Sequence, residues 1–283
     1  MNWEIIHIDE TDSTNRWLRD RQQATANDCA SGFSPDVREI PEIRDVSISS
    51  IPDASNAPVA SDAPIAVVAD YQTAGRGCGT NTWESERGKN LTFSLLLHPT
   101  EALIGGDATK PLPAARQFAI SEWISIALCE TLEHYIYNKV EIKWPNDIYV
   151  EGKKIAGILI ENRLQGDRIK DSIIGIGLNV NQQVFHSDAP NPLSLRQLLG
   201  HDVDREALLH EYLRLVQCVP TTGTMRTNYW NRLYQRLVQS WYSDQNGRFQ
   251  ATITGVEPDG RLVMTDSDGR ERRYAFKEVT FIL

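Results

Sequence analysis

The sequence predicts an α+β protein that closes with a small β-barrel of the SH3-like kind, and three observations carry that reading. Up to about residue 240, short apolar runs with strand character are interspersed with stretches of helical periodicity. Beyond that point the period changes, and short strands follow one another with only turn residues between them. Between the first strand and the next lies a stretch, residues 24–64, rich in Ala, Ser, Asp and Pro, with Phe33 its only aromatic side chain. Such text cannot bury enough apolar surface to offset its ordering entropy, so it reads as an irregular insertion. The 283 residues suffice for a large domain over 1–240 and a small one over 241–283.

In chain order, residues 3–8 are a strand, and Asp12-Ser13-Thr14-Asn15 precedes helical text from Arg16. A small oxygen-bearing side chain there caps the orphan N–H groups of a helix start. Residues 65–69 and 91–97 are apolar strands, and 114–137 is the clearest helix, with Phe118, Trp123, Ile126, Ala127 and Leu132 about a turn apart. Strands follow at 140–144 and 148–150, and Glu151-Gly152 turns the chain into 154–161, suggesting a hairpin. Residues 172–180 form a further central strand. Helices at 205–216 and 228–239, parted by Pro220 to Gly223, end the large domain. The small domain's strands are 249–256, 261–265, 272–276 and 279–283, with turns at Pro258-Asp259-Gly260 and over 266–269.

Charge and composition narrow the function. Lys plus Arg number 29 against 38 Asp plus Glu, a net charge of −9, which argues against nucleic acid as a partner. No apolar run is long enough to span a membrane, and the start lacks the order of a secretion signal, so a cytoplasmic protein is expected. Cys29, Cys78, Cys129 and Cys218 are far apart without a CxxC pair, which speaks against a zinc site or disulfide framework.

Four segments carry chemistry. Gln72-Thr-Ala-Gly75-Arg76-Gly77-Cys78-Gly79-Thr80 follows a strand directly. It is either a plain glycine turn or an anion nest with Arg76 as a fixed charge, and it matches neither a P-loop nor a Rossmann spacing. Trp83 after it is core, or a flat surface for a ring. In Lys143-Trp144-Pro145-Asn146-Asp147, the proline puts Asn146 and Asp147 on a kink. Lys154 then opens an apolar strand, either snorkelling outward or held by a carboxylate or phosphate. Gly175-Ile176-Gly177-Leu178-Asn179 indicates close approach to a strand backbone, by a ligand or by a crowded crossing. Ser13-Thr14-Asn15, taken alone, is no more than a helix cap.

In chain order, with Ser13-Thr14-Asn15 first, the four segments resemble the biotin–protein ligase (biotin–[acetyl-CoA-carboxylase] ligase) family, within the biotin/lipoate ligase superfamily. Residues 143–161 are the most specific piece, and the insertion lies outside the resemblance. The resemblance implies a mixed sheet with helices on one side, followed by the small barrel. It assigns Ser13, Thr14, Asn15 and Gln72 to the biotin ring, with Gly75, Gly77, Lys154 and Gly157 on the same ligand. Arg76 and Lys154 would face the carboxylate and phosphate, Trp83, Asn146 and Asn179 the nucleotide, and Asp147 a Mg2+ ion and the acceptor's proton. The family's larger members begin with a DNA-binding winged helix; with the first strand at Trp3, a monofunctional type is expected. One departure stands out: Cys78 occupies the place of a loop arginine that helps hold the acyl-adenylate.

The implied activity makes biotinyl-5′-AMP from biotin and ATP, then transfers biotin to a lysine of the biotin carboxyl carrier domain of an acyl-CoA or pyruvate carboxylase. Two anions repel unless cations stand between them, so Arg76 and Lys154 have to meet in one pocket. The competing readings are a lipoate–protein ligase and a non-catalytic biotin sensor. Oligomeric state is left open, a homodimer included.

Overall fold

The computed structural model describes residues 3–31, 63–79, 81–186, 191–218 and 222–282. The chain opens with β1 (Glu4–Thr11) and α1 (Thr14–Ser31), followed by β2 (Ile65–Gln72) and β3 (Leu91–Leu97). Next come α2 (Phe118–Glu133), β4 (Val140–Lys143), β5 (Asp147–Val150), β6 (Lys153–Gln165) and β7 (Arg168–Leu178). Helices α3 (Leu195–Leu199), α4 (Arg205–Gln217) and α5 (Thr222–Arg232) lead to β8 (Gln239–Asp244) and β9 (Gly247–Val256). The last strands are β10 (Leu262–Asp266), β11 (Glu271–Tyr274) and β12 (Thr280–Phe281).

Seven strands form one mixed sheet in the order β1-β2-β3-β7-β6-β5-β4; only β1 and β2 run parallel. Every residue of β3 is buried, as befits a strand covered on both faces. Ala66, Val68, Phe93 and Leu95 join the main core with α2, and α4 and α5 pack on that helix. Helix α2 is buried nearly all round because neighbours surround it. The alternate residues Val67, Leu96 and Ile173 meet Leu18 of α1 on the other face. Helices therefore lie on both sides of the sheet rather than on one. Helix α1 reaches Ser31, so residues 24–31 of the expected insertion are helical; 32–62 lie outside the described residues.

Strand positions in the sheet follow the sequence reading closely, and the β5–β6 hairpin turns on Glu151 and Gly152, both left-handed at φ 52° and 71°. The exceptions are instructive. Helix α2 begins only at Phe118, after a short 3₁₀ turn at Ala114–Arg116, and ends at Glu133. The helix expected at 228–239 is displaced to α5. Gln235 and Leu237 adopt φ 58°, which no helix tolerates, and Gln239 already starts β8. Strand β8 joins an antiparallel sheet of order β11-β10-β9-β8-β12, whose edges β11 and β12 are not hydrogen-bonded to each other. This sheet packs back on the larger one: Trp144 Nε1 donates to Gly260 O at 2.9 Å, and the Phe118 ring lies against Gly260.

Candidate active site

Where β1 gives way to α1, the helix start is buried: Ser13, Thr14 and Asn15 are each no more than 5% exposed. Asp12 Oδ1 accepts from Ser13 N at 2.7 Å. At the end of β2, Gln72 Oε1 accepts from Thr14 N (2.9 Å) and Thr14 Oγ1 (3.2 Å). Ser94 Oγ on β3 lies 2.6 Å from both Thr14 Oγ1 and Asn15 Oδ1. On β7, Gly175 leaves room for the Asn15 amide, which a Cβ there would strike. The result is a cluster of small polar groups set into an apolar sheet, suited to orienting a compact polar ring.

The glycine segment after β2 folds into a narrow loop. Trp83 N donates to Gly75 O (2.9 Å) and Gly77 N to Asn81 O (2.8 Å). Gly75 is required because a Cβ would meet Trp83 O at 2.5 Å. Arg76 Nη1 lies 3.5 Å from Glu161 Oε1 on β6. Glu161 also pairs with Arg19 at 2.7 Å and accepts from Asn15 Nδ2 at 2.8 Å. The Trp83 indole lies flat against β6 and β7 over Gly157 and Gly177, where side chains would collide with it. The β7 glycines thus make room for side chains of the protein itself, the Asn15 amide at Gly175 and the Trp83 indole at Gly177.

Between β4 and β5, the kinked segment is fixed by Trp144 at one point and by Tyr229, whose hydroxyl donates to Pro145 O at 2.7 Å. Lys154 Nζ pairs with Asp147 Oδ1 at 2.8 Å and sits 5.9 Å from the Trp83 ring centre. The lysine is therefore held by a carboxylate and does not snorkel away. Beside it Lys143 Nζ donates to Tyr149 Oη at 3.2 Å and lies over the Tyr149 and Phe281 rings. Burial pushes its pKa below the ordinary lysine value, with Asp147 opposing and Lys154 adding to the fall. Burial likewise pushes the Tyr149 phenol up.

These segments share one cleft of about 720 Å³. Ser13, Thr14, Asn15, Gln72, Arg76, Gly77, Trp83, Asn146, Asp147, Lys154, Gly157 and Asn179 all line it. Gly75 does not; its place is structural, beneath Trp83. Three buried polar atoms of the described lining, Trp83 Nε1, Asn179 Oδ1 and Asn191 Oδ1, have no hydrogen-bond partner, although Asn179 Nδ2 donates to Leu193 O at 3.0 Å and Asn191 Nδ2 to Gly152 O at 2.6 Å. Unpaired buried polar atoms are uncommon and mark a place where a ligand completes the bonding.

The sequence reading left several members without a role. Ser94 was visible as a hydroxyl inside an apolar strand and Glu161 as a charge closing one. Lys277 and Phe281 reach the cleft from the C-terminal sheet, a juxtaposition with no local signal. Among the described residues no group of three or more His, Cys, Asp or Glu could hold a metal by itself. No described helix is long and apolar enough to cross a membrane.

Residues 59–179 match the model of the biotin/lipoate A/B protein ligase family. The chain is 30% identical over 226 residues to the bifunctional ligase/repressor BirA of Bacillus subtilis, covering 74% of this chain and 64% of that protein. It is 27% identical over 219 residues to the biotin–[acetyl-CoA-carboxylase] ligase of Paracoccus denitrificans, covering 72% and 85%. The chain thus spans a little under two thirds of the length of the Bacillus relative. In structure it is similar to the biotin protein ligase from Aquifex aeolicus in complex with biotin and ATP. The TM-score is 0.65 at 21% identity, over 98% of this chain and 97% of that one, a likeness of fold.

Proposed function

We propose, from the match of residues 59–179 to the biotin/lipoate A/B protein ligase family model, that the chain is an ATP-dependent biotin–protein ligase. It activates biotin as biotinyl-5′-AMP and passes it to a lysine of a biotin carboxyl carrier domain. One observation carries the reading most of the way: Arg76 and Lys154, far apart in sequence, line the same cleft as the polar cluster at Ser13, Thr14, Asn15 and Gln72. A carboxylate bound between the polar cluster and these cations is held for attack on the α-phosphate of ATP. Arg76 and Lys154 offset the repulsion of the two anions. Trp83 offers a face for the adenine ring, and Asn146 and Asn179 offer polar groups beside it.

Mg2+ is held by one or two carboxylates together with substrate phosphates rather than by a full protein cage. Asp147, with Asn146 beside it, is a carboxylate of that kind and would hold a Mg2+ arriving with ATP; the ion supplies neutralisation of phosphate charge. In the transfer step the acceptor amine attacks the acyl carbonyl, the bond to AMP breaks, and the amine gives up a proton. Asp147, in the described lining and paired through Oδ1 with Lys154, is the carboxylate that would accept that proton when it does not hold the ion.

The test is pyrophosphate release from ATP with biotin or lipoate, followed by transfer of label from biotin to an apo carrier domain. Release driven by biotin, with label on the carrier lysine, is expected. Release driven by lipoate alone identifies the sister activity; adenylate bound without transfer identifies a sensor. Either result overturns the proposal.

A further inference from the structure

Four cations stand in the described lining of the cleft: Arg76, Lys143, Lys154 and Lys277. Three are engaged. Arg76 faces Glu161 at 3.5 Å, Lys154 pairs with Asp147, and Lys143 is buried against Tyr149 and Phe281. Lys277 forms no ion pair with any described residue, and among them its ammonium has only the ring of its neighbour Phe276, 6.0 Å from the ring centre, as a charge contact. It comes from the opposite side of the cleft, out of the turn between β11 and β12, and its Nζ presses on the loop at Gly79, into the space a Cβ there would fill.

The turn that presents it is built for a different residue. Glu278 N donates to Ala275 O at 3.1 Å, and the Glu278 carboxylate accepts from Ala275 N at 2.7 Å. Lys277 is the third residue of this four-residue turn and has φ 73°, a position that normally goes to Gly or Asn. Its neighbour Phe276 packs edge-on against Trp144, ring centres 6.0 Å apart, which ties the turn to the segment bearing Asn146 and Asp147. A lysine held in left-handed backbone at the rim of a cleft is strain at a place where charge is useful.

We infer that Lys277 is a phosphate-binding residue. Supplied by the C-terminal sheet, it reaches past Gly79 to the nucleotide's phosphate oxygens and holds the acyl-adenylate in the cleft. This rests on the ligase reading and adds to it a cation on the side of the loop where Cys78 brings none. The sequence gives no hint of it, since nothing links a lysine near residue 280 with a glycine loop near residue 80.

The variants Lys277→Gly and Lys277→Arg separate charge from backbone. Glycine removes the ammonium and relieves the turn; arginine keeps a cation in the same backbone. With purified full-length protein, ATP binding is measured by calorimetry, KM for ATP by biotin-dependent pyrophosphate release, and adenylate retention by chase of labelled biotin. Loss of one charge-assisted contact predicts about tenfold weaker ATP binding and about tenfold faster adenylate release for Lys277→Gly, at equal or higher melting temperature. Lys277→Arg should restore both. Wild-type binding and release in Lys277→Gly would reduce Lys277 to a turn residue and overturn the proposal. If the wild type binds ATP but releases no pyrophosphate with biotin, the ligase reading fails, and the ATP affinities of the two variants still decide Lys277. A wild type that does not bind ATP overturns both.

Discussion

Replacing Lys154 with alanine takes away the partner of Asp147 and one of the two cations that the proposed function puts at the acyl–phosphate junction. The expected result for Lys154→Ala is a loss of adenylate formation on the order of a hundredfold or more, read as biotin-dependent pyrophosphate release. A lysine that merely snorkelled would leave the rate nearly unchanged. Cys78→Arg tests the loop from the other direction. A second guanidinium beside Arg76 should slow escape of bound adenylate roughly threefold to tenfold, and an unchanged escape rate would mean the loop closes by other contacts. At this scale the sequence was informative where chemistry is written into a short segment. Lys143 to Lys154 brings cations, a carboxylate and a kink within a dozen residues, so a carboxylate or phosphate partner for Lys154 was one of two readings, and the structure names Asp147 as that partner. The Glu161 junction with Arg76, Arg19 and Asn15 was not, because its members come from the loop after β2, α1 and β6, and only the register of the sheet brings them together.

Among the elements, β7 has the most particular demand on its sequence. Gly175 admits Asn15 and Gly177 admits the Trp83 indole, two positions apart on one face of the strand. Gly177→Ala should displace the indole without unfolding the sheet. The expected signature is weaker ATP binding, with biotin binding much less affected and the far-ultraviolet circular dichroism unchanged; equal loss of both ligands would mean general disruption of the cleft. The strands of the large sheet were legible because their apolar runs are bounded by turn residues, as at Glu151 and Gly152. The helix expected at 228–239 was not, since Tyr229, Trp230, Leu233 and Leu237 keep a helical spacing through a region where the backbone turns left-handed at Gln235 and Leu237. Side-chain spacing does not by itself report a helix: Tyr229 lies in a real one, Leu233 is buried just beyond its end, and Leu237 is exposed in the loop leading to β8.

Across the whole molecule, the joint between large sheet and C-terminal sheet contains a buried ion pair. Glu122 of α2 is 2% exposed and lies 3.2 Å from Arg226 of α5, whose other nitrogen donates to Val256 O of β9 at 2.7 Å. Burial raises the Glu122 pKa, with Arg226 and Arg116 only partly opposing it. A carboxyl raised in the folded state contributes stability that is complete below its unfolded value and is lost as pH climbs through the folded one. Urea melts from pH 4 to pH 7 should therefore show Glu122→Gln gaining on the wild type as pH rises, whereas parallel curves would mean that the carboxylate is well solvated. The same joint has a consequence for how the protein comes into being. Phe276, Lys277, Val279 and Phe281 form one bank of the cleft, and Phe281 covers the Lys143 ammonium. A growing chain that has emerged only as far as residue 275 holds nearly every group named above, yet lacks the bank that keeps water from them. Under the proposed activity such a fragment is expected to be inert, with competence arriving only once residues 276–281 have emerged and docked.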